Sequence, residues 1–416
     1  MANSLWKISV KNSNERKVNK MKMLYIGIDV SKHKHDCFIT NADGEVLADP
    51  FTIQNSREGF EELYRRIKSL MPRPSGENTK VGLEATGHYS DNITGFLRKN
   101  GLPPVILNPL QVKLYHKGES LRKTKTDKSD ARYIAGMLIA KDLKPHSQSS
   151  YHSEELKSLT RHRHRMVWAR SRFKVLYDRL RSIVFPELEH FVKCPGSVTE
   201  LKLMLEFPTA KAIADCHLTR LSNLVETYSH GRHDREWTIK LKELAKNSIG
   251  SNSPAKALEM QQTIRQIISL SKEIDLIDAE IKTLVNDSGT SLMTIPGIGY
   301  TLAAIIMSEV GDVTRFATPA KLQAFAGLEP TTYQSGQFIG QRDVMVKRGS
   351  TYLRWALLQA ARIASKHDTT FSEYLSRKVA DGKHYNSAMG HVAKKLIRVI
   401  FKLMNTGEVY QAKIQT

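Results

Sequence analysis

Cysteine is scarce in this chain of 416 residues: Cys37, Cys194 and Cys216 lie far apart, and none stands in a Cys-x-x-Cys pair. That spacing offers neither a disulfide framework nor a zinc knuckle. Long apolar runs are missing too, and none approaches the roughly 20 residues that would span a bilayer. The first residues are polar and basic where a signal peptide would carry an apolar stretch. A cytoplasmic, nucleoid-associated chain with no membrane partner is the expectation. Acids are outnumbered, with 42 Asp and Glu against 63 Lys and Arg, a net charge of +21 and a pI near 9.7. Such an excess points to a polyanionic partner, nucleic acid first and an anionic membrane surface second. The length predicts two or three domains, and 40% apolar residues suit globular cores.

Residues 1–22 form a basic N-terminal extension, expected to carry little ordered structure. The pattern then changes at Leu24-Tyr25-Ile26-Gly27-Ile28-Asp29-Val30, a β-rich run that holds one carboxylate. An ionised Asp in an apolar strand is unfavourable unless it meets a cation, a metal or donors at the strand end. Residues 35–40 read as a second strand, Asn41-Ala42-Asp43-Gly44 as a hairpin turn and 45–53 as a third strand. Ser56 is placed to cap a helix with Phe60, Leu63, Ile67 and Leu70 at helical spacing. Lys80-Val81-Gly82-Leu83-Glu84-Ala85 is another apolar run that ends near an acid. A helix over 91–99, a strand at Val105-Ile106-Leu107, a basic connection over 117–125 and a helix over 127–140 complete this part. Three meander strands, a helix, then two strands with helices between them is the order of an RNase H-like α/β domain.

The middle third is helical. Residues 154–188 are dense in arginine, including Arg161, Arg163, Arg165 and Arg172, and residues 255–285 repeat apolar positions at helical spacing. Two long amphipathic helices around a shorter insert predict an antiparallel hairpin or coiled coil. The arginines read either as a solvated face or as phosphate contacts. Further on, Ile295-Pro296-Gly297-Ile298-Gly299 leads into a helix, as in a helix-hairpin-helix element. There Gly297 and Gly299 would let backbone amides approach a DNA phosphate; an ordinary turn between core helices is the competing reading. Ser335-Gly336 lies in a polar segment followed by Arg342, Lys347 and Arg348.

Asp29, Glu84, Asp127 and Asp130 are the candidate metal ligands. Asp127 and Asp130, three apart, share one helix face, although they also suit a plain helix N-terminus. Hard oxygen donors of this kind suit Mg²⁺ or Mn²⁺. The segments Gly27-Ile28-Asp29-Val30-Ser31-Lys32, Leu83-Glu84-Ala85-Thr86-Gly87 and Lys125-Thr126-Asp127-Lys128-Ser129-Asp130-Ala131 resemble the acidic motifs of the DEDD transposases of one insertion-sequence family. The Pro-Gly-Ile-Gly segment, Ala326-Gly327-Leu328-Glu329-Pro330 and Ser335-Gly336 are similar to that family's C-terminal transposase domain, and the likeness runs from about Leu24 to Met404.

The resemblance implies an α/β plus α architecture. A RuvC-like (RNase H-like) catalytic domain would occupy 23–145, a helical coiled-coil assembly region 146–287, and a mainly helical C-terminal transposase domain 288–410. It implies Asp29, Glu84, Asp127 and Asp130 as a metal-binding tetrad for Mg²⁺ or Mn²⁺. Ser335 would be the nucleophile that forms a covalent phosphoserine link to DNA in a composite site with the acids. Arg342, Lys347 and Arg348, with the arginines of the long helix, would contact nucleic acid. The implied partners are double-stranded donor and target DNA, a structured bridge RNA, and further copies in a dimer or tetramer. Related DNA invertases share the tetrad, so inversion stands beside transposition. A RuvC-like junction nuclease that leaves Ser335 idle and a non-catalytic nucleic-acid scaffold compete with both.

Overall fold

The computed structural model describes residues 23–84, 87–119, 127–141, 143, 151–331, 334–335, 338–339 and 345–412. The extension 1–22 and Arg342 lie outside them. The chain divides into two compact units, Met1–Gln148 and Ser149–Thr416.

The first unit is built on a five-stranded mixed sheet in the order β3-β2-β1-β4-β5. The strands are β1 (Leu24–Val30), β2 (Lys34–Asn41), β3 (Val46–Gln54), β4 (Thr79–Glu84) and β5 (Val105–Leu107). β1 sits at the centre, antiparallel to β2 and parallel to β4. The β2–β3 turn forms as its residues dictate: the Asn41 side chain accepts from the amides of Asp43 and Glu45, and Asn41 N–H donates to the Glu45 carbonyl. Helix α1 (Arg57–Leu70) starts at Ser56, whose hydroxyl accepts from the Gly59 amide, and buries Phe60, Leu63 and Ile67 against the sheet. Helix α2 (Asp91–Lys99) buries Ile93 and Leu97 in the same core.

On the other face lie α3 (Pro109–Glu119) and α4 (Asp127–Ala140). The first of these is absent from the sequence expectation, which named only a basic connection over 117–125. Its lysines and histidine mask a weak apolar pattern, and burial of Val112 beside Tyr25 and Ile134 supplies the stability that periodicity does not announce.

The second unit is helical. Helix α5 (Tyr151–Val184) lies antiparallel to a second 34-residue helix, Pro254–Asp287: Arg163 bonds Asp278, Arg170 bonds Ser271, and the Ser251 amide reaches the Ile183 carbonyl. Between them fall α6 (Leu188–Phe191), α7 (Val198–Glu206), α8 (Ala210–Asp215), α9 (Leu218–Ser229) and α10 (Arg235–Lys246). The sequence showed this insert only as vaguely helical, because its helices are short. Side-chain caps from Ser197, Thr209, His217 and Asp234 start four of them, and a shared core with Tyr177, Leu180 and Ile264 holds them together. Arg181, from the same arginine-rich run, is buried here and paired with Glu200 and Asp178.

The Pro254–Asp287 helix, α11, continues into the final part of the unit. There α12 (Tyr300–Val310), α13 (Pro319–Phe325), the short hairpin β6 (Gln334–Ser335) and β7 (Phe338–Ile339), α14 (Thr351–His367), α15 (Thr369–Ala380) and α16 (Tyr385–Thr406) follow. Their common core reaches back to Leu156 on α5 and Ile281 and Val285 on α11. The helical pair and the C-terminal part therefore share a core. Among the described residues no helix is long and apolar enough to cross a membrane.

Candidate active site

The acidic site grows from a backbone contact. Gly27 in β1 faces α4 so closely that a Cβ there would fall 1.9 Å from the Ala131 carbonyl oxygen and 2.7 Å from the Ala135 nitrogen. Its parallel neighbour Gly82 presses on the Leu138 side chain in the same way. Two glycines at one rung let the helix lie on the strands with almost nothing between them. Phe38, opposite Gly27 on β2, closes the contact with Ala131 and Ala135.

The direction of α4 over β1 follows from its contacts. Tyr25 shares a core cluster with Ile134, Met137 and Leu138, whereas Gly27 faces Ala131 and Ala135 nearer the helix start, so the helix runs against the strand. Two residues past Gly27, on the same face, comes Asp29. The helix turn that reaches this end of the strand is the first, which opens with Asp127 and includes Asp130. Glu84 ends β4, and the pairing of Ile28 with Leu83 sets Glu84 level with Asp29 on the adjacent parallel strand. Asp29, Glu84 and Asp130 are each partly buried. For Asp127 and Ser335 the structure describes the backbone alone.

A fifth acid, missed in the sequence, stands at the same end. Asp36 on β2 lies directly opposite Asp29 and is buried; Thr52 donates to its Oδ1 at 2.5 Å, and Lys34 Nζ stands 4.0 Å from its Oδ2. The signal was available in principle, since a tight Ser31-Lys32-His33 turn folds position 36 back against position 29. Like charges facing each other across a strand pair are unfavourable unless positive charge offsets them. Among the described residues no three His, Cys, Asp or Glu side chains gather closely enough to hold a metal ion. The donor set nevertheless fits a hard divalent cation: carboxylates alone, with no thiol or imidazole, Asp29 and Glu84 on adjacent strands and Asp130 in the first turn of α4.

On the sheet's opposite face His35 is fully buried and stacks on Phe60, with ring centroids 5.9 Å apart. Burial lowers its pKa below the ordinary 6.5, against weaker opposing effects of Asn55 and Asp36.

In the second unit Ser335 pairs with Phe338, beside the connection of the β6–β7 hairpin. The flanking segments are clamped together: Pro330 bridges Met345, the Val346 amide donates to the Glu329 carbonyl, and the Ser350 amide to that of Phe325. Gly327 and Gly349, both at positive φ, make this approach possible; a Cβ on Gly349 would stand 2.1 Å from the Phe325 carbonyl oxygen. Lys347 is held at φ 54, and both it and Arg348 are exposed.

The other predicted nucleic-acid contacts separate into two kinds. Arg161 is committed to Glu309, with Nε and Nη2 donating at 2.7 and 3.1 Å to the two carboxylate oxygens, and Arg163 grips Asp278. Arg165 and Arg172 are exposed. Glu309 is a buried hub that also accepts from Ser350 at 2.8 Å. Burial alone would raise its pKa, but Arg161, Ser350 and Lys157 together hold it below the ordinary value of 4.5. Gly297, at φ 91, has a packing reason, since a Cβ would come within 2.6 Å of Ile363 on α14. Gly299 is exposed at the start of α12 with open space around it. Both line a cavity of about 560 Å³ that also contains Asp275, Asp278 and Lys282, so the amides there face mixed charge.

With this geometry in view, comparison with known proteins is informative. The transposase family DEDD_Tnp_IS110 matches residues 26–186, and the transposase IS116/IS110/IS902 family matches 289–376. The chain is 24% identical to the pilin gene-inverting protein of Moraxella lacunata, over 95% of this chain and 99% of that one. It is 22% identical to the insertion element IS116 uncharacterized 44.8 kDa protein of Streptomyces clavuligerus, over 93% and 96%. It is 23% identical to the transposase for insertion sequence element IS1111A of Coxiella burnetii, over 97% and 95%.

Proposed function

This chain belongs to the IS110-type transposases and is an enzyme of DNA recombination, and from that premise we propose that it exchanges DNA strands through a phosphoserine intermediate at Ser335. In this reading 23–145 is an RNase H-like catalytic domain, 146–287 a coiled-coil region for assembly into a dimer or tetramer, and 288–410 the domain that carries the serine and a helix-hairpin-helix-like element. The observation that carries it is the rung of Asp29 and Glu84 at the end of two parallel strands, with the first turn of α4 brought over it by Gly27.

Asp29, Glu84, Asp127 and Asp130 would hold Mg²⁺ or Mn²⁺. A divalent cation bound there would withdraw charge from the scissile phosphate and stabilise the attacking and leaving oxygens. Ser335 Oγ gives up its proton and forms a bond to phosphorus as the phosphodiester bond to the departing DNA hydroxyl breaks. Attack by an incoming strand's hydroxyl reverses this exchange and returns the serine. Each step trades one phosphate ester for another, so no external energy source is required. Lys347 and Arg348, exposed beyond the clamp of Gly327 and Gly349, would grip the phosphate backbone, with Arg342, Arg165 and Arg172.

The test is strand exchange on paired DNA sites, with trapping of protein covalently bound to DNA. Ser335→Ala abolishes both exchange and adduct; Asp29→Asn and Glu84→Gln lower exchange by more than about a hundredfold. Exchange that survives in Asp29→Asn and Glu84→Gln overturns the tetrad. Cutting that survives in Ser335→Ala without an adduct indicates a junction nuclease. The likeness to a pilin gene-inverting protein over nearly the whole chain supports a second reading, inversion between fixed sites by the same chemistry.

The family resemblance further implies a structured bridge RNA as partner, beside donor and target DNA, while the charge of +21 suits DNA and RNA equally. Sequencing the RNA that co-purifies with the protein tests this, and a random set of transcripts sinks it. A cytoplasmic, nucleoid-associated location agrees with such partners.

A further inference from the structure

Among the described residues two tryptophans are exposed, Trp168 on α5 at 61% and Trp355 on α14 at 39%. They belong to one neighbourhood. His164, one helical turn before Trp168, meets Tyr352 edge-on with centroids 5.1 Å apart, and Trp355 at 5.8 Å. One turn beyond Trp168, the Arg172 guanidinium lies over the indole at 5.1 Å. His164, Trp168 and Arg172 thus form a row about 12 Å long on the helix surface, with Tyr352 and Trp355 beside its first member.

The charge around this row is positive. Helix α5 carries nine Lys and Arg against three Asp and Glu. Arg165, Arg172 and Arg179 recur at seven-residue intervals, all exposed. Exposed indoles are unfavourable in water, and an arginine over an aromatic ring holds it flat and keeps the surroundings cationic. Flat rings interleaved with cations match an unpaired polynucleotide, whose bases stack while its phosphates meet the guanidiniums. They match a second copy of this chain poorly, because a symmetric contact would set these arginines against one another. Duplex DNA offers no free base faces.

We propose that His164, Trp168, Arg172, Tyr352 and Trp355 form a stacking platform for an unpaired DNA strand. An enzyme that breaks and rejoins strands must handle such a segment between cleavage and re-pairing. The inference rests on the assignment to DNA recombination and not on the serine mechanism. The catalytic proposal fails on Ser335→Ala and Asp29→Asn in strand exchange; this one fails on binding, so the two failures are distinguishable.

The test uses the full chain and its intrinsic tryptophan fluorescence. Single-stranded oligothymidine is compared with an abasic strand, a duplex and oligouridine, all of equal length. Oligothymidine quenches the fluorescence, and the abasic strand binds more weakly. Trp168→Ala and Trp355→Ala each weaken oligothymidine binding about tenfold or more, leave duplex affinity unchanged and keep the wild-type circular dichroism. Trp168→Phe retains most of the affinity and serves as the check should an alanine variant misfold. Equal binding of the abasic strand, or wild-type affinity in Trp168→Ala and Trp355→Ala, overturns the platform. Preference for oligouridine overturns the assignment to DNA. Self-association that is lost in Trp168→Ala would make the face a contact between copies and overturn it as well.

Discussion

The two units handle charge in opposite ways. In the first, acids collect at the end of a sheet, on strands whose neighbours are apolar, and the device that assembles them is close backbone packing at Gly27. In the second, cations dominate, and the inward-facing ones are neutralised one by one: Arg161 by Glu309, Arg163 by Asp278, Arg181 by Glu200. Carboxylates brought to one end of the sheet are positioned for a cation to arrive. Arginines that remain on the surface after such pairing are positioned for phosphate. The contrast teaches that the arginine count of a helix overstates its nucleic-acid face, since pairing removes part of it.

The sharpest way to break this contrast is at Gly27. Gly27→Val places side-chain carbon where the Ala131 carbonyl already sits, so α4 must shift. We expect a loss of about 3 kcal/mol or more and no strand exchange, read by denaturant melts and the exchange assay. Intact activity would show that α4 does not need this approach.

Next comes Glu309, the hub of the second unit. Its side chain is 2% exposed and accepts from Arg161 and Ser350. Glu309→Ala strands Arg161 beside Lys157, whose own pKa is already lowered by burial. The expected cost is about 2–3 kcal/mol in a urea melt followed by circular dichroism. A neutral result would mean that the basic helix needs no internal acid.

A smaller effect is expected at Asp36. Asp36→Asn keeps an acceptor for Thr52 but removes a negative charge opposite Asp29. The concentration of Mg²⁺ that half-activates strand exchange should rise, by up to about tenfold, with little change in stability. An unaltered Mg²⁺ dependence would remove Asp36 from the acidic site.

Smallest is the pH response of His35. Its folded pKa lies below the unfolded value of 6.5, so below pH 6.5 the unfolded chain binds a proton that the folded chain refuses. Stability therefore falls as pH drops from about 6.5 to the folded pKa, by at most about 1.4 kcal/mol per pH unit, and then levels off. His35→Phe should flatten that part of the Tm-against-pH curve. An identical slope in the variant would assign the acid sensitivity elsewhere.

Much of the first unit was legible because its signals are local. A β-rich apolar run marks β1, Asn41 and Gly44 mark the turn, and Ser56 marks the start of α1; each depends on neighbours within a few residues. Helix α3 escaped because only tertiary burial stabilises it. The five helices of the insert were blurred because each is too short for its periodicity to stand out.

The chemistry divides along the same line. Residue types and spacing alone determined the acidic motifs, the cationic excess and the helical spacing of the two long helices, since these are properties of covalent order. Tertiary structure alone decided that Gly27 is the seat of α4, that Asp36 faces Asp29, that Gly297 answers to Ile363, and which arginines remain at the surface. Those outcomes depend on which distant backbone comes within a few ångströms, and no local pattern encodes that distance.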